Sequence, residues 1–172
     1  MSIIIRLMIM SVILAGITIG NADAKDVMTT IQATADDEFK LYLNGKQILD
    51  GFGWAQARIA KVKITRGDVL AVVAKDRGYK AGFLLNASGA FNFISDTEWK
   101  VYTGKELPNW NQKKFNDTAW AKATGYGIYG ELPWGKGVKE FTGEKANWIW
   151  SGKNQTNSKE IDPVVYFRKT IK

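Results

Sequence analysis

An all-β sandwich of jelly-roll type is the fold class this sequence predicts, on three observations. Short apolar stretches alternate with polar residues at period two, the spacing of a half-buried strand. Turn residues punctuate these stretches at close intervals, with 17 Gly against three Pro in 172 residues. No segment carries the i, i+3, i+4 apolar spacing of a long amphipathic helix, and no solenoid-like repeat is visible.

The elements follow in order. Val27 to Ala33 is a β-prone opening run. Phe39, Leu41 and Leu43 alternate with Lys40, Tyr42 and Asn44. Asn44-Gly45 then marks a tight hairpin, because both residues tolerate positive φ. Ala60, Val62 and Ile64 alternate with Lys61 and Lys63, a half-buried strand with a lysine face. Arg66-Gly67-Asp68 turns the chain into Val69–Ala74, whose unbroken apolar run suits a central strand. Asp76-Arg77-Gly78 is another turn. Gly82–Leu85 reads as a short strand broken by Asn86-Ala87-Ser88-Gly89. Trp99–Tyr102 reads as a further short strand, and Asn116 to Trp120 as one capped helical turn. Five glycines between Gly125 and Gly137 make that segment a long loop carrying aromatic rings. Trp148-Ile149-Trp150 and Val164–Thr170 close the chain as strands around a polar loop, Ser151–Asp162.

Composition removes much enzymology. The chain has no His and no Cys. A Ser-His-Asp triad, an imidazole base, a thiol nucleophile, a thiolate zinc site and a disulfide are therefore excluded. Carboxylate chemistry and oxygen-ligated cations remain open.

Met1–Ala24 reads as a signal peptide. Arg6 supplies the positive start, Leu7–Ile19 the uncharged apolar stretch, and Ala22-Asp23-Ala24 the cleavage pattern. The stretch is too short to span a bilayer well, which takes about 20 apolar residues. The expected mature product is a single exported domain, residues 25–172, periplasmic or extracellular. The expected leader carries one basic and one acidic residue, so the net charge of +7 stays with the domain.

Three stretches carry a resemblance. They are Thr34-Ala35-Asp36-Asp37-Glu38-Phe39 with Leu41 to Lys46, Trp110, Phe115, Asp117 and Trp120 at W-x4-F-x-D-x2-W spacing, and Trp148 to Ser151 followed by Val165 to Lys169. Their order resembles the galactose-binding-like jelly-roll modules, such as the accessory domains of bacterial rhamnosidases and free-standing secreted lectin-like proteins. The resemblance covers most of residues 29–171. It implies a two-sheet sandwich whose end loops often bind carbohydrate. No hydrolase domain is visible in this sequence, and many modules of this fold only support a neighbour.

Sugar recognition needs a flat ring for the apolar pyranose face and planar polar groups for the hydroxyls. Tyr126, Tyr129 and Trp134 stand among glycines in one loop, with Glu131 and Lys136 beside them. They either meet a ligand or plug the end of the sandwich. Trp110 and Asn111 form a second candidate, an amide-flanked platform or a packed ring. Asp76 and Arg77 form a third, as ligands for hydroxyls or as a solvated turn. The expected function is non-catalytic, lectin-like glycan binding, with no cofactor. A structural calcium ion is the one addition the resemblance suggests, with Asp36, Asp37 and Glu38 as the only tight acidic cluster. The basic excess favours anionic glycans, and a protein or cell-surface partner on a lysine-rich face is the alternative. No nucleic-acid motif is present. A glycosidase working through two of Glu131, Asp117 and Glu144 is the remaining reading.

Overall fold

The structure, a computed structural model, describes residues 28–152 and 161–172. The expected leader and most of the Ser151–Asp162 loop lie outside them. The described chain is the all-β sandwich expected from the sequence, with no helix among the described residues. One sheet is ordered β10 (Thr124–Ile128), β11 (Asn147–Trp150), β6 (Gly82–Gly89), β1 (Thr29–Asp36), β4 (Arg58–Val62), with β7 (Phe93–Ile94) also on β6. The other is ordered β3 (Lys46–Phe52), β2 (Glu38–Leu43), β5 (Val69–Lys75), β12 (Val164–Thr170), β8 (Lys100–Tyr102), β9 (Ala121–Lys122). Every strand pair in both sheets is antiparallel.

Local chemistry explains the pairings. Asn44 (φ 51°) and Gly45 (φ 89°) close the β2–β3 hairpin through two left-handed residues. The Asn44 side chain also donates to Asp68 and accepts from the Val69 N–H, both at 2.9 Å, which joins this turn to the start of β5. β5 is apolar from Val69 to Ala74 because β2 and β12 flank it and both its faces are covered over most of that run; only Val73 and the terminal Lys75 reach the open outer face.

Three expectations are corrected. β6 does not break at Asn86 but runs on to Gly89, because all eight of its residues pair with β1. There the Asn86 amide donates to the Gln32 side chain at 3.1 Å, so a turn-former serves as a ladder residue. The first part of the glycine-rich loop is strand β10, which pairs with β11 through an irregular register between Gly125 and Ile128. The segment Asn116–Trp120 is a turn, with Asn116 accepting from the Thr118 N–H at 3.0 Å. Asp117 is drawn away from any capping role by a salt bridge to Arg168.

Burial falls into three clusters. The central one lies between the sheets around Phe83, Phe167, Trp99 and Trp150. A second joins Trp134, Trp148 and Phe141 under the 129–146 loop. A third joins Trp110, Trp120 and Tyr166 under the 103–120 loop. Trp148 and Trp150 are both fully buried but do not share one packing surface. Trp150 meets Phe167 in the central core, whereas Trp148 stacks on Trp134 at 4.3 Å. β11 matches β6 at only one residue pair, Ile149 with Phe83, so ideal alternation is not enforced there.

Arg168 ties the third cluster to the second sheet. Its side chain is 1% exposed. The guanidinium donates to the Asp117 carboxylate at 2.8 Å and to the carbonyls of Trp110, Gln112 and Phe115. It also lies 5.2 Å from the centre of the Phe115 ring. This planar fork reaches several acceptors at once, which an ammonium cannot do.

A second polar knot sits where β1 passes to β2. The Asp36 carboxylate accepts from the Trp134 indole N–H at 2.9 Å, and Asp37 accepts from the Arg77 N–H at 2.7 Å. Burial raises the Asp36 carboxyl to about 6, with the neighbouring Asp37 charge adding to it and the Trp134 bond opposing it.

Two measurements test these knots. Arg168→Met should lower unfolding free energy by about 3 kcal/mol, because it strands Asp117 and the loop carbonyls. Arg168→Lys should recover little of that. Urea unfolding of both variants checks this, and a wild-type midpoint in either would remove the strut. For Asp36, the folded state holds its proton between roughly pH 4 and 6, where the unfolded chain has lost it. Its contribution to stability is thus full below about pH 4 and lost as pH rises through 6. The chain has no His to obscure this window. The melting temperature should be higher at pH 5 than at pH 7.5, and Asp36→Asn should shrink the difference. A flat wild-type profile would show that the carboxylate ionises in the fold without cost.

Candidate functional site

The register of the second sheet sets its outer face in cross-strand rows. One row runs Phe52, Glu38, Lys75, Val164, and the next runs Asp50, Lys40, Val73, Tyr166. A third runs through Tyr42, Ala71, Arg168, Lys100 and Lys122. The 103–120 loop covers part of this face with Trp110, Phe115 and Trp120. The first two rows and Tyr42 remain open up to Tyr166, which Trp110 largely covers and which lines the trough while only 7% exposed. With Glu106, from the loop's near edge, they line a trough of about 830 Å³.

The trough has an apolar centre and paired charges. Val73, Val164 and the rings of Tyr42 and Tyr166 form its apolar surface. Lys40 stands opposite Asp50, and Glu38 opposite Lys75, so the cross-strand charges alternate in sign. Glu106 accepts from the Trp110 indole N–H at 3.0 Å. Burial, followed by the Glu106 charge, raises both the Tyr42 and the Tyr166 phenol. Both phenols therefore remain protonated donors at neutral pH. Phe52 is 63% exposed at the far rim.

The candidates chosen from the sequence separate into three places. Arg77 stands at the trough's rim, where its exposed guanidinium pairs with Glu38 and lies 5.8 Å from the centre of the Phe52 ring. Asp76 is turned inward. One of its oxygens accepts from the Gly78 N–H at 3.2 Å, the other has no hydrogen-bond partner among the described residues, and burial raises the carboxyl. Tyr126, Tyr129 and Trp134 pack with the second cluster as a plug. Trp134 is stacked on Trp148 and is 5% exposed. The Tyr129 hydroxyl donates to the Val138 carbonyl at 3.2 Å, and its ring meets Phe141 edge-on at 4.8 Å. The Tyr126 hydroxyl accepts from the Gly152 N–H at 3.0 Å.

Trp110 is 3% exposed, with Tyr166 edge-on at 4.9 Å, and Asn111 beside it is half-buried. Of the two readings the sequence leaves open for Trp110 and Trp134, the packed one holds, and both rings are covered. The glycines around Trp134 free its backbone, and Gly82 admits the ring: a Cβ there would come within 3.0 Å of it. In the acidic cluster Asp36 accepts from the Trp134 N–H, Asp37 from the Arg77 N–H, and Glu38 pairs with the Arg77 guanidinium. Among the described residues, no group of three or more Asp or Glu side chains is arranged to hold a metal ion.

Sequence reasoning missed most of the trough. Lys40 and Tyr42 read only as the alternate residues of a strand, and no sequence signal singles out Asp50, Lys75 or Tyr166. One signal was available, since Lys40 and Tyr42 are the outward set of a strand whose inward set is Phe39, Leu41 and Leu43. Which strands lie beside β2 was not readable from that pattern.

No family model and no curated protein matches the sequence. Solved structures do share the fold. The apo lectin of Pleurotus ostreatus is similar with a TM-score of 0.57 at 24% identity, covering 63% of this chain and 35% of the lectin. The same lectin in complex with GalNAc gives 0.58 at 24%, with the same coverage. An α-L-rhamnosidase of Streptomyces avermitilis, complexed with L-rhamnose, gives 0.59 at 23%, covering 64% of this chain and 12% of the enzyme. This chain therefore corresponds to about a third of the lectin's length and about an eighth of the rhamnosidase's. The shared architecture is the β-sandwich found in a lectin and in part of a glycoside hydrolase.

Proposed function

We propose that this protein is an exported, non-catalytic carbohydrate-binding module whose ligand lies in the trough on the second sheet. The trough itself carries the proposal: an open cleft in which ring faces and alternating charges stand side by side. Tyr42 and Tyr166 offer apolar surface and phenol donors, while Phe52 offers a face at the rim. Glu38, Asp50, Glu106, Lys40 and Lys75 offer acceptors and donors for sugar hydroxyls. Arg77 adds its guanidinium where the trough meets the end loops, and Trp134 fixes the neighbouring Asp36 corner through its indole N–H. The likeness to a lectin seen with GalNAc and to an enzyme seen with L-rhamnose supports a saccharide ligand. Export rests on the leader pattern of Met1–Ala24. The balance of acids and bases in the trough favours an uncharged sugar chain, whose binding resists salt.

A glycan array followed by calorimetry tests this. Phe52→Ala and Lys40→Ala, both at exposed positions, should each weaken neutral-oligosaccharide binding by roughly tenfold, about 1.4 kcal/mol. Their melting temperatures should stay near wild type, and Tyr129→Phe should bind normally. A loss confined to Tyr129→Phe would move the site to the 129–146 loop. Absence of neutral-glycan binding at every salt concentration would defeat the proposal in favour of a protein or surface partner on the basic faces.

A further inference from the structure

We infer that a second cavity, beside the β8–β9 edge, is a binding site for an anionic saccharide residue, a uronate or a sulfated sugar. The inference does not depend on the trough. It begins with the third cross-strand row, where Arg168, Lys100 and Lys122 stand directly opposite one another on three neighbouring strands. Like charges in that arrangement repel. Two of the three are answered by carboxylates: Arg168 by Asp117 at 2.8 Å and Lys122 by Glu98 at 2.7 Å. The half-buried Lys100 is answered by a neutral group, the Asp117 carbonyl, at 3.0 Å.

The cavity beside this row has a volume of about 500 Å³, enough for one or two sugar rings, and its lining includes Lys100, Lys122, Lys169 and Lys172. Glu98 and Asp117 supply the side-chain carboxylates of that lining, and Asp117 is engaged by Arg168. Lys169 is held in place, with its ammonium 5.8 Å from the centre of the Trp99 ring and 3.4 Å from Asp96. The Glu98 carboxyl is held below its usual range by the Lys122 bond and charge, then by Lys169 and Lys172. One carboxylate thus feels three of the four lysines. The trough, by contrast, sets Lys40, Arg58 and Lys75 against Glu38, Asp50 and Glu106. An anion therefore gains in the second cavity what it does not gain in the first.

The half-buried rings of Phe91 and Phe93 complete the wall. A free inorganic anion has no use for them. A pyranose bearing a carboxylate or sulfate meets both the rings and the lysines.

The test is calorimetric titration of the protein with four probes: oligogalacturonate, a sulfated galactose oligosaccharide, an uncharged galacto-oligosaccharide and inorganic sulfate. At least one acidic probe should bind at about 0.05 M salt and weaken about tenfold by about 0.5 M. Lys100→Gln with Lys122→Gln should weaken that binding about tenfold and leave the uncharged probe unaffected. Should that pair disturb the fold, Lys122→Gln with Lys172→Gln alters only exposed side chains and should show the same selective loss. Uronate-only or sulfate-ester-only binding identifies the anion carried. Three outcomes overturn the inference: no acidic probe binds, the folded variants bind acidic probes as wild type does, or inorganic sulfate binds as tightly as the acidic sugars. Loss of neutral-sugar binding without loss of acidic binding would overturn the trough reading alone.

Discussion

The buried guanidinium of Arg168 is the constraint on which the outer face of the second sheet depends. An arginine in the middle of a strand, with its side chain 1% exposed, is costly unless every donor finds an acceptor. Here the acceptors come from the 103–120 segment, which has no strand or helix of its own over most of its length. Three of its carbonyls and the Asp117 carboxylate converge on one cation. The segment is thereby fixed against the sheet, and Trp110 and Trp120 are pressed onto Tyr102 and Tyr166. Where the segment ends, the trough begins. Glu106, at the boundary, bonds a ring on the covered side and acts electrostatically on two phenols on the open side.

The opposite sheet solves the same problem differently. Its outer face is covered by the 129–146 loop, and the fastener is aromatic stacking of Trp134 on Trp148 rather than a buried charge. The Trp134 N–H meets Asp36, so the plug is anchored to the corner between β1 and β2. One sheet face is closed completely enough to bury Trp148, while the other is closed only in part. That asymmetry is why the second sheet keeps an open trough on its outer face.

Much of the fold was legible in the sequence because its signals are local. Period-two alternation in Phe39–Leu43, the Asn44-Gly45 turn and the apolar run of Val69–Ala74 each report on their own strand. Local signals misled where a neighbour overruled them. Asn86 to Gly89 reads as a break, yet β1 extends β6 through it, and the glycines of Thr124–Ile128 read as loop, yet β11 recruits them. The candidate site was less legible because its residues meet only through register. Tyr42, Val73 and Tyr166 are far apart in sequence and become neighbours through the order β2-β5-β12. The loop aromatics attracted attention for a sound reason, ring density among glycines, but glycines that free a loop also let its rings fold inward.

The position of β12 has a consequence for how the molecule is made. It is the last described strand, yet it lies inside its sheet, between β5 and β8. A chain emerging from the N-terminal end can pair β2, β3 and β5 early, since they lie close together in sequence. β8 and β9 have only each other until β12 arrives, and Arg168 arrives with it. The sheet closes, and the 103–120 segment is gathered in, only when β12 is available. A sandwich wired in this way keeps its second sheet open until β12 is in place, so β8, β9 and the segment between them depend on a strand far along the chain.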